Sequence, residues 1–448
     1  MKKSILHITG HFGGGVGKVL TALIKNLLET DNKFSHSIAS LEYINDFGAK
    51  WCKENNIKNY GEIPPDSPFL HQLVKESDIV HLHFWNHPLI YHFLYSFSGK
   101  KARIIIWSHI NGHHAPYIFS EEIIRFPEFF VLSTGFSLES SIIKNIPEEY
   151  KQKHLRTVFT SGGIDGFKDS TLNPHDGFNI GYVGTVDYCK MHRHFIDLCG
   201  NANIPNFKII VCGGNNHKEI EKEAIAKGFK NLFDFRGQVK NILDVFLDFD
   251  IFVYPLCKNH YGTGEQALIE AMAAGIPQIV LDNGAERYVV VNNKTGLISS
   301  NEDNFTQSIE KLYNNVNLRL EMSKYSRKHA HNYYSIEKTV KNWLNVYYES
   351  LEREKSECYF KPIELKSMNN FDLPTKLFLT GLGSSKAATL YQEAFTYFPD
   401  DIPDFLRKKI RNLPPIFNGQ TKGSIAHYYK IFKNSKSLKY LNKLSNGA

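Results

Sequence analysis

The chain has 448 residues, 42% hydrophobic and 22% charged, which are ordinary proportions for a globular protein and a length that favours two domains over one core. No window reaches the apolar length of a membrane span, and the start, Met1-Lys2-Lys3 before Ser4-Ile5-Leu6, is too short and polar for a signal peptide. Six scattered cysteines without a C-x-x-C pair argue for a reducing cytoplasm and against a zinc centre. The formal charge of +7 is uneven: residues 405–448 hold ten Lys/Arg and no Asp/Glu, leaving the other 404 with 43 against 46, a net of −3.

Residues 1–10 read as a first strand, followed by His11-Phe-Gly-Gly-Gly-Val-Gly-Lys18 and a helix to about Glu29. A glycine turn there lets a phosphate approach the backbone. It is not a P-loop, which needs Gly and Ser/Thr where Phe12 and Val19 stand, and it does not space its glycines as G-x-G-x-x-G. Apolar runs at Ser35–Leu41, Asp78–Leu82, Arg103–Trp107, Phe129–Leu132 and Thr157–Phe159 alternate with helical patterns, the α/β signature. Two of these runs end in histidines: His81, His83 and His87, then His109, His113 and His114. Strand carboxyl ends face the ligand crevice of a parallel sheet, so these side chains stand where substrate would be. A metal reading fails for want of a carboxylate or cysteine at suitable spacing.

A glycine-rich stretch from Thr160 to Gly166 and then Asn173-Pro174 read as a linker. A second α/β series opens at Phe178-Asn-Ile-Gly-Tyr-Val-Gly-Thr185, with strands at Phe207–Cys212, Leu232–Phe235, Asp250–Tyr254 and Gln278–Leu281. Two such halves joined by a short linker leave a cleft. After Pro255 comes Asn259-His-Tyr-Gly-Thr-Gly-Glu265, then a helix with Ala267, Leu268, Ala271 and Met272 at helical spacing, closed by Gly275 and Pro277. Amides at that helix start suit a diphosphate, and Glu265 and Glu270 suit hydrogen bonds from sugar hydroxyls. Residues 303–352 are helical. Beyond them Gly423–Leu444 mixes Tyr428, Leu438, Leu441 and Leu444 with five lysines, as two short helices. A basic amphipathic segment suits an anionic membrane surface, with a dimer or domain contact as the competing reading; no nucleic-acid motif accompanies it.

In order along the chain, Gly13–Lys18, Asp78-Ile-Val-His-Leu-His83, His109, Gly162-Gly-Ile-Asp165, Tyr182-Val-Gly184 and Leu268-Ile-Glu-Ala-Met-Ala-Ala-Gly-Ile-Pro277 resemble the retaining GT-B glycosyltransferases of the large, family 4-like bacterial group of mannosyl-, glucosyl- and N-acetylglucosaminyl-transferases. The resemblance covers about residues 1–350. It implies an α/β chain with two Rossmann-like domains facing across a cleft, at 1–168 on the acceptor side and 169–334 on the donor side. A returning helix at 335–352 and a basic helical extension at 353–448 would complete the chain. It implies that Gly14, Gly15, Val16 and Gly17 lie against the donor diphosphate, that Glu270 binds the ribose and that His109 faces the reacting sugar. Gly184 and Lys190 match the family's phosphate-binding positions, while Thr185 replaces its arginine, for which Arg193 is a stand-in. Arg236 marks where the nucleotide base would lie.

The family's first motif glutamate falls at Gly262, so Glu265 or the amides around Gly264 take its place. The resemblance implies retaining, metal-independent transfer of a hexose-type sugar from a nucleotide diphosphate donor, UDP before GDP, to a glycan or lipid-linked acceptor, without cofactor. That work would take place in the cytoplasm at the inner face of the membrane, in surface polysaccharide synthesis, with a homodimer allowed. The alternatives are a nucleotide-sugar epimerase or phosphorylase on the same fold and a non-catalytic partner subunit.

Overall fold

The structure, a computed structural model, describes residues 2–168, 170–214, 216–363, 371–398, 400, 402–418 and 422–446. It divides into two compact units, one built from 1–158 with 340–448 and one from 159–339. The crossovers fall at Val158/Phe159 and Thr339/Val340 rather than at 168/169 and 334/335, and the C-terminal extension belongs to the same unit as the N-terminus.

In the first unit seven parallel strands, β1 (Lys3–Thr9), β2 (Phe34–Ser40), β3 (Lys58–Tyr60), β4 (Ile79–Phe84), β5 (Ile104–Ser108), β6 (Phe129–Leu132) and β7 (Leu155–Thr157), lie in the order β7-β6-β5-β4-β1-β2-β3. Every residue of β4, β5 and β6 is buried, as expected of central strands covered on both faces. The order reverses between β1 and β4, so the crevice for a ligand opens beyond Thr9 and Phe84. Helix α1 (Gly14–Thr30) starts inside the glycine run rather than after it. Gly14 takes φ +60°, a conformation open to glycine at little cost, and the chain turns into the helix directly from the buried Phe12.

In the second unit β8 (Phe178–Val183), β9 (Phe207–Cys212), β10 (Phe233–Gly237), β11 (Ile251–Tyr254), β12 (Gln278–Leu281) and β13 (Gly296–Ser299) form a parallel sheet in the order β10-β9-β8-β11-β12-β13. Its reversal lies between β8 and β11. Gly181 permits the sheet to be packed tightly, since a Cβ there would sit 2.1 Å from the Phe249 ring. Helix α2 (Gln266–Ala273) follows β11 and buries Leu268, Ile269, Ala271 and Met272 in the core of this unit.

The chain then returns to the first unit. The helix Ile336–Leu351 carries the buried Val340, Trp343 and Tyr347. Ser356–Cys358 adds a short strand antiparallel to Lys100–Ala102. The helices Leu373–Leu382, Lys386–Phe395, Asp404–Arg411, Ile425–Ile431 and Lys436–Asn446 complete the extension. Asp372, Ser385 and Ser424 cap three of them through side-chain oxygens. Asn86 donates to the Gly381 carbonyl at 3.5 Å and Tyr117 to the Lys422 carbonyl at 2.7 Å. The expected amphipathic tail is corrected in one respect. Ile425, Tyr428, Leu438, Leu441 and Leu444 are buried against this chain's own helices, so it is the lysines that face outward. Among the described residues, no helix is long and apolar enough to cross a membrane.

Candidate functional site

In the second unit the chain leaving β8 doubles back beside the end of β11. Cys257 N–H donates to the Lys190 carbonyl at 2.8 Å, His192 N–H to the Pro255 carbonyl at 2.9 Å, and Met191 bridges Leu256. These backbone bonds hold Lys190 at the switch point of the sheet. Its Nζ lies 3.0 Å from Glu265 Oε2, with side-chain exposures of 13% and 1%. Tyr254 OH donates to the same oxygen at 2.8 Å. The ammonium also stands 5.5 Å from the Tyr254 ring and 5.6 Å from that of Tyr261.

Burial alone would discharge this pair, and the partners prevent it. Desolvation pulls the Lys190 pKa down, but Glu265 and the neighbouring tyrosines drive it well above its ordinary value. Desolvation pushes Glu265 up, yet Lys190, His260 and Tyr254 hold it below the usual glutamate range. Both groups are therefore charged at neutral pH.

Glu265 occupies an unusual backbone position, φ +37° and ψ +64°, at the residue preceding α2. A non-glycine residue there is strained, a feature that clusters at functional sites. Gly262 explains where its carboxylate goes. A Cβ at 262 would lie 1.5 Å from Glu265 Oε1, so the glutamate fills the volume that any side chain at 262 would need. Oε1 is buried and accepts no hydrogen bond among the described residues.

A third layer lies behind this carboxylate. His260 Nδ1 accepts from Gly262 N–H at 3.0 Å, so Nε2 carries the proton and donates to Glu286 Oε2 at 3.1 Å. The 3.8 Å separation of His260 Nδ1 from Glu265 Oε1 is consequently not a hydrogen bond. Burial raises the Glu286 pKa more than His260 lowers it. On α2 itself, Gln266 Oε1 accepts from Gly162 N–H at 2.9 Å, and its Nε2 donates to Glu270 Oε1 at 3.3 Å. Gly264 sits against Thr160, where a Cβ would come within 2.9 Å.

Two expected cations have acidic partners of their own. Arg193 is exposed, paired to Glu223 at 2.8 Å and stacked on Tyr188 at 4.3 Å. Arg236 is paired to Asp234 at 2.8 Å and faces Asp248 at 3.6 Å. Gly184 immediately follows β8, and the Thr185 carbonyl accepts from Tyr182 OH at 2.9 Å. Sequence pattern alone does not single out Tyr254, His260 or Glu286; only His260, three residues before Thr263 in the same polar loop, leaves a visible trace.

In the first unit Gly14, Gly15, Val16 and Gly17 form the opening turn of α1, with open space where a Cβ would stand on Gly14 and Gly15. His109 follows β5, its Nε2 3.0 Å from His83 Nδ1. Burial brings its pKa down to about 3. Glu42 supplies beside His11 and His87 the carboxylate that sequence spacing does not show. His87 Nδ1, however, accepts from Leu89 N–H at 3.2 Å, which leaves Nε2–H to donate to Glu42 at 3.1 Å. The nitrogen aimed at the carboxylate is a proton donor, not a metal ligand. In the second unit His192, His194 and Glu302 also approach metal-like spacing, but His192 Nδ1 accepts from His194 N–H at 3.2 Å.

Comparison with known proteins agrees with this architecture. Residues 164–329 match the family described as Glycosyl transferases group 1. The Bacillus subtilis protein YtcC is 30% identical over 142 residues, 30% of this chain and 32% of its own length, so the match spans about a third of that relative. A glycosyltransferase from Rickettsia africae superposes with a TM-score of 0.63 at 17% identity, covering 79% of this chain and all of that one. Anabaena HepE, solved with UDP and glucose, gives 0.61 at 14% identity over 78% of this chain and 100% of its own. The chain thus has the GT-B fold, two parallel-sheet Rossmann-like domains, and the match to the group 1 glycosyltransferase family lies within the second of them.

Proposed function

We propose that this protein is a retaining glycosyltransferase, moving a hexose from a nucleotide diphosphate donor to a glycan or lipid-linked acceptor. The observation that carries the reading is the seat of Glu265. Its carboxylate lies in the volume vacated by Gly262, within hydrogen-bond reach of Lys190, at the switch point where a parallel sheet receives its ligand. That seat supports Glu265 as the replacement for the motif glutamate missing at 262. UDP is favoured as the nucleotide because HepE binds UDP and glucose.

Cleavage of the anomeric C–O bond puts negative charge on the departing diphosphate. Lys190, kept protonated by its surroundings and fixed by backbone bonds on both sides, stabilises that charge without reorganising. Glu265, an acceptor only, receives hydrogen bonds from sugar hydroxyls, and Glu270 on the same helix receives those of the ribose. The donor phosphate takes the acceptor's proton, with attack from the same face and retention of configuration. Exposed Lys430, Lys433, Lys436, Lys439 and Lys443 bring the enzyme to an anionic membrane surface by charge alone.

The test is incubation with a panel of nucleotide sugars, following donor hydrolysis and the anomer of the product by NMR. Slow release of nucleotide with retained configuration is expected. Interconversion of free UDP-sugars without acceptor would make it an epimerase. Nucleotide binding without turnover would make it a partner subunit. No binding of any nucleotide sugar by calorimetry defeats the reading.

A further inference from the structure

Four imidazoles form an unbroken line across the first unit. His36 Nδ1 on β2 lies 3.0 Å from His7 Nε2 on β1; His7 Nδ1 lies 3.3 Å from His83 Nε2 on β4; His83 Nδ1 lies 3.0 Å from His109 Nε2. The surroundings are aromatic. His81 stacks on His83 with ring centroids 4.4 Å apart, and Trp343 and Trp107 lie at 4.2 and 5.7 Å from His81. Burial holds every member of the line neutral: His36 is brought down to about 4 and His109 to about 3, with His7 and His83 lowered well below the ordinary histidine value.

A neutral ring carries one proton, so each link needs one donor and one acceptor. Only two settings of the line satisfy all three links. Either every proton points toward His109, or every proton points toward His36. In the second setting His36 would present an Nε2–H, and that atom is buried with no hydrogen-bond partner among the described residues. An orphaned buried N–H is rarer than an under-used acceptor, because its desolvation is uncompensated. The first setting leaves Nε2 of His36 as a bare acceptor and makes His83 donate to His109 Nε2.

We propose that this line of histidines is a positioning device that fixes His109 as an Nδ1–H hydrogen-bond donor toward the substrate, a proposal that rests on reading His109 as the group facing the reacting sugar. His36, His7 and His83 are then positioning residues, and His109 donates to a sugar hydroxyl rather than taking a proton from the acceptor.

The experiment is a two-bond 1H–15N correlation on protein labelled at histidine, assigned by single substitutions, which reads the tautomer of each ring without substrate. His109 is expected with a protonated Nδ1 and a pyridine-like Nε2; a protonated Nε2 overturns the proposal. Two substitutions at the remote end sharpen it. His36→Asn keeps a donor at the Nδ1 position and should leave His109 unchanged. His36→Asp offers only an acceptor and should reverse the line, so that His109 carries its proton on Nε2. Turnover in His36→Asp should fall on the order of tenfold in kcat, the worth of one hydrogen bond, with KM altered less. Identical tautomers and identical kcat in the two variants would also overturn it. If the wild type turns over no nucleotide sugar, the tautomer readings still decide the proposal, and the failure belongs to the assigned reaction alone.

Discussion

A carboxylate three residues out of place would ordinarily be a defect, yet here a glycine makes room for it. Gly262→Ala puts a Cβ 1.5 Å from Glu265 Oε1 and must expel the carboxylate. Thermal unfolding should show a loss of about 1–3 kcal/mol, typical of overpacking, together with a large fall in turnover. The double variant Gly262→Glu with Glu265→Gly moves the acid to the motif position and relieves the left-handed backbone at 265. It should recover activity relative to Glu265→Gly alone, and equal inactivity of the two would refute the replacement. Lys190→Met leaves Glu265 buried without its ion-pair partner, at about 3–5 kcal/mol.

The pH dependence of that variant has a definite sign. In the wild type the contribution of Glu265 is present above its ordinary value of 4.5 and is lost as pH falls through its lowered one. The contribution of Lys190 is present below 10.5 and is lost only as pH rises through its raised value. In Lys190→Met the acid is relieved by protonation, so the gap between the two proteins should narrow from pH 7 to pH 4 in urea titrations. A constant gap would mean that the pair contributes no charge pairing. Sequence pattern brings out Lys190 and Glu265 separately. Their contact is not legible there, because it depends on the chain doubling back along β11. Arg193 and Arg236 look like spare cations in the sequence only because their partners Glu223, Asp234 and Asp248 are invisible there as partners.

At the scale of elements, the strands are legible wherever apolar runs are long, and the histidines on them only in part. His81, His83 and His109 stand out at strand ends. His7 and His36 do not, since it is the parallel pairing of β1 with β2 and β4 that brings the imidazoles into line. This lining predicts acid sensitivity. His7, His11, His36, His81, His83, His109 and His427 are all depressed, by burial first. Each gives a penalty that begins as pH drops below 6.5 and grows by about 1.4 kcal/mol per unit until the folded value is reached. That value is about 3 to 4 for His11, His36, His109 and His427. In the second unit His260 is raised and acts in the opposite sense. Hydrogen exchange compared at pH 7 and pH 5, corrected for intrinsic rates, should show β1, β2 and β4 losing far more protection than β8 and β11. Equal losses would contradict the burial argument.

The extension illustrates an opposite failure of pattern reading. Alternation of leucines and lysines in Lys436–Asn446 fits both a membrane face and an intramolecular one, and only the packing partners decide. Leu441→Ala should cost about 2–5 kcal/mol in unfolding experiments. Charge reversal of Lys436, Lys439 and Lys443 to glutamate should leave the fold intact and abolish flotation with anionic vesicles. Retained flotation would remove the membrane from the proposal.

For the whole molecule, deletion of 405–448 is a poor test of membrane contact, because it strips Tyr428, Leu438 and Leu441 from a buried cluster. A truncated chain should be aggregation-prone rather than merely released from vesicles, as light scattering would report.

The short strand Ser356–Cys358 against Lys100–Ala102 bears on biosynthesis. The second unit is one continuous segment and leaves the ribosome with all its contacts available. The first unit is not: residues 1–158 emerge before the second unit and wait, their surface for Trp343, Tyr347 and the helices after them still bare, until residues 340–446 are made. Chaperone demand should therefore concentrate on the interval before residue 340 is made, and a premature stop within 404–446 would harm residues 1–158, which were made long before it.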